Sequence, residues 1–205
     1  GASPEQARVA LQACDGSITR AVEFLKSNER LEFRARVLEV LACLRRADDW
    51  DVIGFAADLV VRVKLPLDTV RAEQEAELAE NADFLAKSAI RQIEARNKRQ
   101  LTAKTAESLR QLTGITRSWL RDIMVQAAGA SDQVVNADVR PSIVEAAART
   151  DAARAAAAIA AVRRCDVAIS YNVSPETCID AMLLEVRDIL YGRALPNAAP
   201  RAYAR

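Results

Sequence analysis

The chain of 205 residues contains no histidine, and aromatic residues make up only 4% of it. Without histidine it lacks the side chain that most often serves as a general base near neutral pH and as a metal ligand. It has only six glycines, and the β-branched and aromatic residues never alternate over a convincing run, so no β-strand is expected. Cys14, Cys43, Cys165 and Cys178 have no C-x-x-C spacing and sit within apolar helical patterns. They read as small buried thiols in a reducing compartment rather than as disulfides or metal ligands. No apolar run approaches the ~20 residues needed to span a bilayer, and no signal peptide is recognisable, so a cytoplasmic protein with no membrane partner is expected. A net charge of +1 gives no global pull towards nucleic acid. There is no glycine-rich phosphate loop, no dinucleotide fingerprint and no clustered set of acids. The expectation is therefore no catalytic residue, no metal, no cofactor and no small-molecule substrate.

What is present is helix. Half of the residues are apolar, alanine prominent among them, and they recur at spacings of three and four. The strongest stripe is Leu109, Leu112, Thr116, Trp119, Leu120, Ile123 and Ala127, which predicts a helix from about Leu109 to Ala127 with Trp119 buried. Arg121 projects away from that stripe and Asp122 lies on its flank, where both can stay wet or meet a neighbour.

The remaining helices follow from start and stop signals. Ser3-Pro4-Glu5-Gln6 supplies an N-cap, a proline at the first helical position and a capping-box partner. Asp15-Gly16 stops that helix, and Ser17 caps a second one, Ile18 to Ser27. A third is predicted from Arg30 to about Ala47, with Leu31, Val37, Leu38, Leu41 and Leu44 inward. A fourth runs from Trp50 to Val63 with Trp50, Ile53, Ala57, Val60 and Val61 inward, broken by Lys64-Leu65-Pro66, after which Asp68 is a plausible cap. Later helices are predicted over Pro141 to Arg149, Ala152 to Ser170 and Pro175 to Tyr191. Asn136 and Asp138 suit turn and cap roles between them, and the tail beyond Gly192 is expected to be disordered.

Residues 71–83 carry five acids and one arginine, whereas 86–121 carry nine Lys/Arg and two acids. Lys87, Arg91, Arg96, Lys98, Arg99 and Lys104 could neutralise phosphates, which keeps a basic nucleic-acid-binding helix in play. The basic side chains do not fall on one face, and no aromatics interleave with them to stack on bases. A solvated helix whose opposite charges pair within the assembly is the favoured reading, and a general helical scaffold is the third.

Four short motifs add a resemblance. Gly16-Ser17-x-x-Arg20-Ala21 resembles the Gly-Ser-Pro-Gly-Arg-Ala segment in the lid of AAA+ clamp-loader subunits. Trp119-Leu120-Arg121-Asp122, then Val135-Asn136-Ala137-Asp138, then Asn172-Val173-Ser174-Pro175 resemble in order and spacing the C-terminal region of delta prime subunits of bacterial DNA polymerase III. The resemblance implies an all-α helical bundle: the end of a lid over 1–29, a collar domain over 30–191 with a charged insertion at about 64–103, and a tail from 192. It implies no catalysis by this part of the chain, which lacks the family's nucleotide-binding domain. Other clamp-loader subunits become the expected partners and DNA an indirect one. Arg20 is carried over as a nucleotide-sensing residue, although isoleucine and threonine replace the Pro-Gly of that motif. Trp119, Arg121, Asp122, Asn136, Asp138, Asn172 and Pro175 are carried over as structural or interface residues.

Overall fold

A computed structural model describes residues 2–14, 16–81, 86–171 and 173–192. Asn172 and the tail from 193 lie outside the described residues. Among the described residues eight α-helices follow in order: α1 Pro4–Ala13, α2 Ile18–Lys26, α3 Asn28–Cys43, α4 Asp49–Asn81, α5 Lys87–Ala127, α6 Arg140–Ala147, α7 Ala152–Ser170 and α8 Pro175–Tyr191. Short 3₁₀ turns lie at Leu44–Arg46, Ser131–Gln133 and Ala137–Val139. Among the described residues there is no strand, so the fold is all-α.

The first turns form for the local reasons the sequence supplies. Ser3 accepts from the Gln6 amide while the Gln6 side chain accepts from the Ser3 amide, a complete capping box. Gly16 adopts φ +80°, and its amide returns to the Leu11 carbonyl at 2.8 Å, closing α1 with a residue that tolerates the left-handed region. Gly129, at φ +81°, follows the end of α5, and there it is the next amide, Ala130, that returns to the Val125 carbonyl at 3.1 Å.

Helix α5 is the spine. It contacts α1, α3, α4, α6 and α7, and at 1.5 Å per residue its 41 residues run for about 60 Å. Leu109, Leu112, Ile115, Trp119, Leu120 and Ile123 are all buried along its second half. On α7 the buried face is Ala155, Ala158, Ala161, Val162 and Cys165. These small side chains allow close approach to both neighbours, α5 and α8. Helix α8 closes the core with Ile179, Met182, Leu183, Val186 and Leu190. The α1–α2 hairpin adds Ala10, Ala21 and Phe24 to the same apolar cluster.

Several sequence expectations need correction. The helix centred on Trp119 begins at Lys87, not Leu109, because the charged stretch before it is also helical. Helix α4 does not stop at Pro66 but continues to Asn81. Proline removes one backbone donor, and the helix continues past that loss with Leu67 buried in the turn beyond it. Asp68 is therefore not a cap but a mid-helix residue paired with Arg71 at 3.2 Å. The pair Asp48-Asp49, which reads in the sequence as the end of the third helix or the cap of the next, does supply the cap of α4: the Asp48 carboxylate accepts from the Asp51 amide at 2.8 Å.

The register of α4 also differs. Val52, Ala56, Leu59, Val60 and Val63 face the core, while Trp50, Ile53 and Val61 are exposed and Ala57 is exposed with them. Of the five positions expected to face inward, only Val60 does. Leu31 is exposed, as is Cys43, so neither belongs to the core. The charged stretch forms two helical arms, the end of α4 and the start of α5. The side chain of Gln74 on one arm donates to Gln100 on the other at 2.9 Å. The arms thus set the acidic segment beside the basic one.

Ion pairs fasten the periphery. Arg187 of α8 reaches Asp49 at 2.6 Å and ties that helix to the start of α4. Pro175 occupies the first turn of α8, and next to it Glu176 meets Lys64 of α4 at 2.6 Å. The Lys64 hydrogen bond, helped by one from Ser174, pulls the Glu176 carboxyl down to about 2. A carboxyl lowered on folding contributes stability above its unfolded value, and that contribution is lost as pH falls through the folded one. Glu176→Gln should therefore cost under about 1 kcal/mol at pH 7, since the pair is solvent-exposed. Urea midpoints of variant and parent should converge between about pH 4.5 and pH 2.

Candidate functional site

Two of the sequence motifs meet in one polar cluster. Asp122 lies one turn along α5 from Ser118; of the two outcomes open to it, staying wet or meeting a neighbour, it takes the second and is completely buried. Ending α5 at Gly129 turns the chain back, and the 131–139 connection passes over this part of the helix. Asp122 Oδ2 accepts from the Val135 amide at 3.0 Å, from the Asn136 amide at 2.7 Å and from Asn136 Nδ2 at 2.8 Å. Its Oδ1 accepts from Arg121 at 2.7 Å, and the same guanidinium nitrogen donates to the Gln133 carbonyl at 3.0 Å.

The cluster extends to a third element. Asn136 Nδ2 also donates to Ser118 Oγ at 2.9 Å, and Asn136 Oδ1 accepts from Arg34 of α3 at 2.8 Å. Arg34 then forks onto Asp138, with bonds of 2.6 and 3.0 Å. A buried carboxylate is tolerable only when its charge is matched and its oxygens are bonded. Two arginines and two aspartates balance here. Asn136 contributes both faces of its amide, which is why a residue with donor and acceptor sits between Asp122 and Arg34.

The arrangement is a clamp. It fixes the second half of α5, the 131–139 connection and α3 relative to one another. Trp119, the neighbour of Ser118 and Arg121, is fully buried on the core side of the same helix. With Oδ2 taking three donors and Oδ1 an arginine, the carboxylate of Asp122 is committed to holding this geometry. Among the described residues no group of histidine, cysteine and acid side chains could hold a metal ion.

The other sequence-derived residues lie elsewhere. Arg20 follows the α2 cap, its amide donating to Ser17 Oγ at 3.5 Å. It takes no part in the cluster's hydrogen bonds and is not among the residues lining the cavity of about 880 Å³ between the α1–α2 hairpin, α3 and Ala137-Asp138. Pro175 starts α8, apart from the cluster. Arg34 and Ser118 belong to the clamp and were not singled out in the sequence. Arg34 faces inward at a position where a charged residue interrupts the apolar stripe of α3, a signal that was visible though its partners were not.

The family model described as DNA polymerase III, delta subunit, C terminal, matches residues 76–187. The chain belongs to that family. The match covers the end of α4, all of α5, α6 and α7 and most of α8, with the 131–139 connection between α5 and α6, so the Asp122 clamp is built largely from the family's own segment. The domain is the C-terminal domain of a clamp-loader subunit of DNA polymerase III, a kind of domain that works in contact with other subunits of that assembly. Searches of curated proteins and of solved structures found no match. No helix among the described residues is long and apolar enough to cross a membrane.

Proposed function

We propose that this chain is the collar-forming part of a delta prime subunit, a non-catalytic scaffold within the loader that places the sliding clamp on DNA. The observation that carries the reading is the clamp. Trp119-Leu-Arg-Asp122 and Val135-Asn-Ala-Asp138 are two of the motifs on which the delta prime resemblance rests, and their polar residues are bonded to each other. A scaffold needs helices held at fixed angles, because each subunit contact depends on the orientation of the next. Buried charge pairs with multiple hydrogen bonds define such orientations more sharply than apolar contacts, which slide.

The test is assembly. Mixed with full-length clamp-loader subunits, the chain should co-migrate with them on gel filtration, and failure to do so alongside full-length delta prime as positive control would overturn the reading. Delta and delta prime are separated by the reading frame upstream. A Walker-type nucleotide-binding domain carrying a Ser-Arg-Cys segment identifies delta prime, and any other upstream domain removes that assignment.

A further inference from the structure

The packing of the two arms sorts the charges on the first half of α5. Ile90, Ile93, Asn97 and Leu101 are half-buried on the side that meets α4, where Gln74 bonds Gln100. At about 100° per residue, Lys87, Arg91 and Lys98 fall within an arc of about 40° on one side of that seam, and Arg96, Arg99 and Arg110 within about 60° on the other. The six do not share one narrow face; they line the two edges of the half of the helix turned away from α4. Between the two rows stand only small side chains, Ser88, Ala95, Thr102 and Ala106. No acid falls within this half. Glu94 and Glu107 lie outside it, and Glu107 is held by Arg30 at 3.1 Å.

The six cations are all exposed, and none of them has an ion-pair partner among the described residues. Elsewhere the chain spends its arginines on carboxylates, as at Arg36, Arg62, Arg164 and Arg187. Lys87 and Arg91 are four apart and Arg96 and Arg99 three apart, spacings at which like charges weaken a helix, so the fold gains nothing from keeping them. The net charge of +1 hides this local concentration. None of the large exposed apolar side chains lies on this arm, so it offers a protein partner no anchor. It carries no aromatic residue on which unpaired bases could stack.

What fits is a duplex. The major groove of DNA is about 12 Å wide and takes a helix of about 10–12 Å diameter. With the small residues turned to the groove floor, each basic row faces the phosphates of one wall. The corresponding groove of duplex RNA is too narrow to admit the helix. Side chains as short as alanine, serine and threonine make no bidentate base contacts, so the contact reads charge and shape rather than sequence. We propose that the first half of α5 binds the major groove of duplex DNA through these two basic rows, independently of sequence. This goes beyond the scaffold reading, in which DNA is met only through the assembly, and does not depend on it. The groove curves away from a straight helix, so about four or five of the six cations reach phosphates at once.

Fluorescence anisotropy of an end-labelled duplex of about 20 base pairs, titrated with the whole chain, tests this. Binding should be in the micromolar range at low salt and weaken with a log–log salt slope of roughly −4 to −5. Arg91→Gln/Lys98→Gln and Arg96→Gln/Arg99→Gln should each weaken it about tenfold or more with an unchanged circular dichroism spectrum, because these side chains are exposed and unpaired. Arg8→Gln/Arg163→Gln removes the same charge from exposed positions off the arm and should change the dissociation constant less than about twofold. Duplexes of different sequence should bind alike, and duplex RNA more weakly. No binding at low salt, a flat salt dependence, or an equal loss in the Arg8/Arg163 variant overturns the proposal. So does duplex RNA bound as tightly as DNA, or polyglutamate of matched charge competing as well as the duplex. No other loader subunit enters these measurements, so their failure leaves the delta prime assignment to the co-migration test.

Discussion

Replacing Asp122 with alanine is expected to destabilise the domain by about 3–5 kcal/mol, the range for breaking a buried charge cluster by removing one partner. The substitution leaves the amides of Val135 and Asn136, the Asn136 side-chain nitrogen and Arg121 without the acceptor they share. Each stranded buried donor costs about 1–3 kcal/mol, and the losses do not add, because the connection can relax and admit water. Arg121 lies partly in solvent and recovers some hydration; the Asn136 groups are buried and do not. Asp122→Asn keeps the shape and one acceptor oxygen but turns an NH₂ group towards donors, so about half the loss is expected. Urea unfolding measures both. Amide hydrogen exchange supplies a local readout, since Val135 and Asn136 should lose protection before the interior of α7 does. A change of under about 1 kcal/mol for Asp122→Ala would mean that the clamp does not hold the connection to α5.

That clamp also marks the boundary of what the sequence made legible. The stripe from Leu109 to Ile123 announced itself through its period, and helix starts at Ser3-Pro4 and Asp151 were written in cap residues. Asp151 does accept from the Arg154 amide, at 2.8 Å. Asn136 and Asp138 could be placed in a turn, but their partners could not be named. Arg34 meets Asn136 across 102 positions, and nothing local in the sequence links them.

The register of α4 escapes a reading of the sequence for a related reason. Trp50, Ile53, Ala57 and Val61 have the spacing of a buried face, and so do Val52, Ala56, Leu59 and Val63 on the other side of the same helix. Periodicity finds an apolar face but does not say which of two is inside; that is settled by the helices packed against it, here α3, α5 and α8. Pro66 reads as a stop because proline costs a helix about 3 kcal/mol in isolation. Packing on both sides of it outweighed that cost.

Trp119→Ala is the second large effect expected. The indole is fully buried and is the largest of the fully buried side chains. Truncating a buried tryptophan typically costs about 3–5 kcal/mol, the sum of lost transfer free energy and the cavity that remains. For a domain whose whole stability lies in the range of about 5–15 kcal/mol, that is a large fraction. The position makes collapse around the void difficult. Trp119 sits about two turns before the end of α5, the helix that packs on α7, and its neighbours Ser118 and Asp122 are held by the Asn136 hydrogen bonds, so the backbone cannot move inward without breaking them. Trp119→Phe should be much milder. It removes less volume, and the indole Nε1 has no hydrogen-bond partner among the described residues, so no hydrogen bond there is lost with it. Equilibrium unfolding of the two variants should therefore separate volume from hydrogen bonding at this site. If Trp119→Ala unfolds at the same urea concentration as the parent, α5 is not the element on which the other helices depend.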